Sequence, residues 1–345
     1  MKSSSDKGSP LDTPKTKSRM FTKRDRDKSD KTDKVEETMV NYLIRRVASV
    51  IPVLLAITVL VFLIMHAVPG DPVLMMLQEA DVTPEIVEQV RETLGFNDPI
   101  PVQYGKWISG VLRGNLGYSF IRRQPVTTMV MRVLPSTLEL TMWGLMLAVV
   151  VGVIFGTLAA INVNSWMDTF FMLIAILGVS MPSFWFGLMM IFVFSLRLGW
   201  LPATGTGGVE RLIMPVLTLA YISAAVIARM VRASVLDVMG LDYVRTARAK
   251  GLSQKVVVMR HVVRNALIPT VTIVGLRFGQ LLAGTVIIET VFSRPGIGRM
   301  MINGILDLDY QVVQAGVLIS ATLYMTVNIL VDILYATLDP RITYS

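Results

Sequence analysis

Side chains able to do chemistry are few in this sequence and seldom close together. Cysteine is absent, which excludes disulfides, thiol catalysis and thiolate-bound zinc. The two histidines, His66 and His261, lie far apart and leave little room for a histidine-built metal site. No GxxxxGK[ST] stretch occurs, so the chain carries no P-loop. Gly296-x-Gly298 lacks the third glycine and the preceding strand of a dinucleotide fingerprint. Leu201-Pro202-Ala203-Thr204-Gly205 matches a sortase-type pentapeptide, but it falls mid-chain between two apolar runs, where Pro and Gly simply make a turn. The densest set of functional side chains is Asp242-Tyr243-Val244-Arg245-Thr246-Ala247-Arg248-Ala249-Lys250-Gly251. It reads as a short helix, with acid at its N-terminal end, bases toward its C-terminal end and glycine as the stop. Ala247 and Ala249 keep part of its surface small, and Gly251 is suited to an abrupt turn at positive φ. Ser253 then caps a second helix that carries Arg260 and Arg264 and ends before Pro269. A short basic-rimmed helix of this kind is shaped to dock into a groove on another protein.

The elements that must hold this helix are membrane spans. Only 17% of the 345 residues are charged and 53% are hydrophobic, against about a quarter charged in soluble domains, which excludes an ordinary globular enzyme. Stretches free of Asp, Glu, Lys and Arg cover 47–70, 140–167, 169–196, 212–228 and 310–331; a sixth, 265–288, is broken only by Arg277. A hydrocarbon core of about 30 Å needs about 20 apolar residues in helix, so the six runs predict six transmembrane helices. The first is too long for a signal-peptide core and ends in Val68-Pro69-Gly70-Asp71 without a cleavage signature, so it reads as a retained anchor. Glu139, Glu289 and Asp332 lie near span ends, where snorkelling to the interface suffices, and Arg277 can reach the interface from two turns in. The 22 methionines are scattered and read as flexible packing.

Charge sets the expected orientation. Of the 33 Lys and Arg, 13 lie in residues 1–46 and eight more between Arg229 and Arg264, so the positive-inside bias puts both termini in the cytoplasm. The net charge of +8 therefore points to a membrane and not to nucleic acid. Residues 1–40 form a charged tail too poor in apolar side chains to bury a core, and are expected to be disordered and cytoplasmic. Residues 71–135 are expected as an extracytoplasmic excursion, in which Thr83-Pro84-Glu85 starts a helix that Gly95 ends. A second amphipathic helix there aligns Tyr104, Trp107, Ile108, Val111 and Leu112, making a small cap over the first spans. The basic excursion 229–268 falls inside.

Arg245-Thr246-Ala247-Arg248-Ala249-Lys250-Gly251, followed by Arg264-Asn265-Ala266-Leu267-Ile268-Pro269, resembles the cytoplasmic loop of ABC-importer permeases, closest to the dipeptide, oligopeptide, nickel and glutathione branch. Pro69-Gly70-Asp71-Pro72, Gly114-Asn115-Leu116-Gly117-Tyr118-Ser119, Ser180-Met181-Pro182 and Leu198-Gly199-Trp200-Leu201-Pro202 agree with it. So do Glu289-Thr290-Val291-Phe292-Ser293, Pro295-Gly296, Asp309-Tyr310 and Asp339-Pro340-Arg341, so that the likeness runs from Tyr42 to Arg341. Arg245 stands where the wider importer pattern has Glu, a feature of the peptide branch; Asn115 replaces a common Asp, and Arg294 a common Trp.

The resemblance implies an all-α integral membrane protein with the six-helix type I importer permease architecture over residues 41–345, in a bacterial inner membrane. It would be a non-catalytic transport subunit that forms the pathway with a homologous permease as a heterodimer. Tyr243, Arg245, Thr246, Ala247, Arg248, Ala249, Lys250 and Gly251 would sit in a cleft of one of two cytoplasmic ABC ATPases. Those partners, and not this chain, would bind ATP and Mg; a binding protein would deliver the cargo, and nucleic acid has no part. Di- or oligopeptides are the implied cargo, with glutathione or nickel as alternatives. A stand-alone secondary transporter would need internal repeats and a midplane coupling site, and a membrane-embedded enzyme a Ser/His, paired-Asp or HExxH set; the sequence has none of these. A membrane scaffold recruiting partners through 229–268 would be separated by a transport phenotype.

Overall fold

The computed structural model describes residues 44–71, 73–74, 77 and 83–338. The charged tail expected over 1–40 lies outside them, as do Tyr42, Pro72 and Asp339-Pro340-Arg341.

Among the described residues, five helices are long and apolar enough to cross a membrane: α1 (Ile44–Ala67), α4 (Val126–Ile161), α7 (Glu210–Met239), α10 (Arg264–Val291, with Ile273–Val291 as its candidate span) and α12 (Tyr310–Leu338). The sixth expected span, 169–196, is not one straight helix. It consists of α5 (Trp166–Ser180) and α6 (Ser183–Met190, continued by π-helical Ile191–Arg197), bent by 107° at Met181-Pro182. Proline drives its predecessor out of the helical region, and Met181 accordingly sits at φ −87°, ψ 130°. The Tyr221 hydroxyl donates to the Met181 carbonyl, so the break leaves this acceptor satisfied where water is scarce.

The centre of the bundle is the long contact of α4 on α7. Gly144, Ala148, Gly152 and Gly156 recur every four residues along α4, and small residues at that spacing let two backbones approach. A β-carbon at Gly156 would stand 2.4 Å from the Ala228 carbonyl oxygen, so no side chain fits there. On α7 the facing stripe is Ala220, Ala224, Ile227, Ala228, Val231 and Val235, all buried. α10 packs against α7, α12 and α4.

Pro269 does not end the basic helix as its local preference predicts. The chain runs from α9 (Gln254–Val256) through π-helical Val257–Val263 into α10, with Pro269 inside it. Ala266 and Thr270, buried on either side, hold the helix through the proline. Ser253 takes the extended conformation of an N-cap, but its hydroxyl caps nothing.

Beyond α1 the chain forms α2 (Pro84–Leu94), ended by Gly95 at φ 74°, with the Phe96 amide donating back to the Arg91 carbonyl. α3 (Ile100–Leu112) follows, then a short hairpin of two-residue strands, β1 (Tyr118–Ser119) on β2 (Gln124–Pro125). Tyr104 and Trp107 pack on Phe62 of α1 at centroid distances of 5.4 and 6.0 Å, and the Tyr104 and Thr58 hydroxyls meet at 2.9 Å. Leu112, expected on the same stripe, is instead 83% exposed, while Val111 beside it packs against the cluster of Leu116, Val126 and Val130. At the same end of the bundle, α11 (Ile297–Leu306) bridges α10 and α12.

Candidate coupling helix

The segment expected to dock folds as α8 (Asp242–Ala249), linked to α7 by Gly240 and Leu241. Asp242 occupies its first turn and Arg248 its last, the arrangement that the helix dipole favours. Gly251 has φ +77° and closes the helix by donating to the Arg248 carbonyl at 3.0 Å. A β-carbon at Gly251 would meet nothing within 4 Å, so glycine is required by the backbone angle alone.

Two side chains root α8 in the bundle. Val244 is fully buried and Ala247 is 7% exposed, and both belong to the apolar core that also holds Ile227, Val231 and Val235 of α7, Val257 and Val262. The sequence put Ala247 and Ala249 together on a small docking surface; the structure separates them. Two residues are about 200° of helix, so Ala249 faces out while Ala247 faces the core. Tyr243 is partly exposed but engaged: its hydroxyl donates to the His261 carbonyl at 3.3 Å and accepts from Asn265 Nδ2 at 2.8 Å. α8 is thereby tied to α10 as well as to α7. Arg245, Thr246, Arg248, Ala249, Lys250 and Gly251 remain outward. Arg245 lies 3.7 Å from Asp242 in an exposed pair that contributes little, so the outward rim presents net positive charge.

The sequence left a second tie at this end unread. Arg232 of α7 grips Asp168 of α5 with two parallel hydrogen bonds of 2.6 and 2.7 Å, and Asp168 also accepts from the Asn164 amide. The partners are 64 residues apart, so no local pattern pairs them. One signal was present: Ser165-x-x-Asp168 before an apolar run is a capping box, and Ser165 Oγ accepts from the Asp168 amide at 3.3 Å.

At the opposite end the expected snorkelling of Glu289 is overturned. Its side chain is wholly buried and accepts from Thr137 Oγ1 at 2.6 Å, the Gly298 amide at 2.9 Å and the Arg299 amide at 3.2 Å. It thus caps α11 from α10. Glu139 is paired with Arg294, and Asp332 with Arg46 of α1 at 2.5 Å, so neither stands alone at an interface. Asp309, next to Tyr310, accepts from the buried Ser119 hydroxyl, and burial pushes its carboxyl above the usual carboxylate range.

Comparison with known proteins gives the family. The family described as "binding-protein-dependent transport system inner membrane component" matches residues 152–344, and the N-terminal region of such membrane components matches residues 39–141. The glutathione transport system permease protein GsiC of Escherichia coli strain K12 is 43% identical over 307 residues, covering 89% of this chain and all of that protein. GsiC of Pectobacterium atrosepticum has the same identity and coverage. Among solved structures, the inward-facing methionine ABC transporter MetNI aligns with a TM-score of 0.51 at 18% identity, over 61% of this chain and 96% of that one, a likeness of fold. The chain belongs to the family of inner-membrane permease components of binding-protein-dependent ABC importers.

Proposed function

We propose that this chain forms half of the translocation pathway of an ATP-driven importer of short peptides, with glutathione, a tripeptide, as the first cargo to test. A homologous permease supplies the other half. The asymmetry of basic residues supports placing α8 and both termini in the cytoplasm and the α2–α3 cap outside, where a binding protein docks. Two cytoplasmic ATPases bind and hydrolyse ATP. The glutathione permeases of known name, matched along their whole length, support the peptide cargo.

The observation that carries the coupling role is the two-sidedness of α8. Val244 and Ala247 fix it in the core of the spanning helices, while Arg245, Arg248 and Lys250 reach outward. A close-packed interior transmits displacement with little compression. A partner that grips the basic side of α8 therefore moves α7 and α10 with it as a rigid body, through the shared core and the Tyr243–Asn265 bond. Closure of the ATPase pair swings the pathway from inward- to outward-facing, and opening resets it.

The test is ATP-dependent uptake by proteoliposomes holding the complete complex and its binding protein, with labelled glutathione, di- and tripeptides and nickel in parallel. Uptake of glutathione or another short peptide that stops without ATP is the expected result. Uptake of nickel alone would overturn the cargo, and uptake that ignores ATP would overturn the class.

A further inference from the structure

Resting on this short-peptide reading, we infer that Arg277 lines the translocation pathway and binds the carboxylate of the passing peptide. Arg277 lies 13 residues beyond Arg264, or about 20 Å along α10, within the candidate span and flanked by Leu276 and Phe278. A guanidinium there is costly unless it is paired or wet. Among the described residues no carboxylate pairs with it; its hydrogen-bond partner is Gln280 Oε1 at 2.5 Å. Gln280 stands one turn further from α8, so this bond draws the guanidinium along α10 away from the α8 end, toward which it would otherwise snorkel.

The neighbouring surface agrees. Leu276, Gln280, Ala283, Ile287 and Thr290 recur at three- and four-residue steps and form the exposed face of α10. Its other faces are covered: Gly275 and Gly279 abut Val331 and Tyr324 of α12, while Phe278, Leu281 and Leu282 are buried. A stripe holding an Arg–Gln pair and a threonine is poorly matched to lipid, and a cation within a span almost always faces a bundle interior or a water-filled path. What the pair offers there is a planar fork of donors, half-buried and without an anion, which suits a carboxylate in bidentate geometry. Every free peptide carries one, and glutathione carries two.

The test uses the reconstituted complex with its binding protein, comparing wild type with Arg277→Lys, Arg277→Gln and Arg277→Glu. ATP-driven uptake is measured for a labelled tripeptide free acid and its C-terminal amide. Charge-assisted hydrogen bonds set the expected scale: Arg277→Gln lowers free-acid uptake about ten- to a hundredfold, Lys retains more than Gln, and Glu retains least. The ratio of variant to wild type, taken within each substrate, cancels any preference of the binding protein, and for the amide it stays near one. Equal losses for Lys, Gln and Glu, equal losses for acid and amide, or no loss would overturn the inference while leaving the peptide reading intact. Loss of the second permease on purification of Arg277→Gln would also overturn it, since the residue would then be an interface contact. Wild-type complex that imports no peptide overturns the peptide reading, and this inference with it.

Discussion

Glu289 is a buried carboxylate whose work is structural: it satisfies two amides at the start of α11, while Thr137 bonds both Glu289 and the Ile297 amide. Glu289→Ala leaves these donors orphaned in the interior and is expected to cost about 2 kcal/mol or more, read as a lower thermal midpoint of the detergent-solubilised complex. Glu289→Gln keeps an acceptor oxygen and should lose less. Asp309 gives a pH prediction with a definite sign. Burial raises its folded-state pKa, so its protonated form is favoured in the folded protein, and the stability it contributes is lost as pH rises from the usual carboxylate range through the higher folded value. Asp309→Asn should therefore gain on wild type as pH increases across that window in a thermal melt series, then hold a constant difference. An Asn variant that loses ground to wild type as pH rises across that window would contradict this.

At the scale of elements, α8 gives the clearest mutations. Gly251→Ala must hold a β-carbon at φ +77° and should cost about 1–2 kcal/mol from backbone strain alone. Gly251→Pro cannot adopt that angle and also loses the amide that bonds Arg248. It should leave membrane insertion intact, as membrane immunoblots would verify, yet strongly reduce uptake per ATP hydrolysed. Ala247→Leu should uncouple by another route, lifting α8 off its core, and should lower thermal stability as well. The tie between α5 and α7 is tested by Asp168→Ala, which leaves Arg232 without its anion and should cost about 3 kcal/mol. Adding Arg232→Met to Asp168→Ala should restore part of that loss in the same melt.

The same elements show what was legible in the sequence. α8, its glycine stop and the positive φ at Gly251 follow from local signals, a charge gradient and a helix terminator within ten residues. The inward face of Ala247 does not, because it depends on the rotation of α8 against Val231, Val235 and Val257, which only tertiary packing sets. The break at Met181-Pro182 was present as a proline in an apolar run, yet its 107° angle comes from the helices that receive the two halves. Pro269 shows the reverse, a local stop that packing overrode. Glu289 and Asp168 were hidden for one common reason: their partners are distant in sequence.

For the molecule as a whole, the apolar runs predicted the spanning helices because hydrocarbon imposes its own length on a chain, while the relation between the helices came from small residues on α4 that alternate with bulkier ones. As proposed above, the chain is a pathway subunit that moves only when partners move it. Its most direct test is affinity purification of this chain from its native membranes in mild detergent, with every co-eluting protein identified and ATP hydrolysis measured on the product. The expected partners are a second six-span permease and ABC ATPases, with loss of those ATPases, and the second permease retained, when α8 carries Arg245→Glu, Arg248→Glu and Lys250→Glu together. A homogeneous preparation of this chain that moves substrate alone, without ATP, would contradict it.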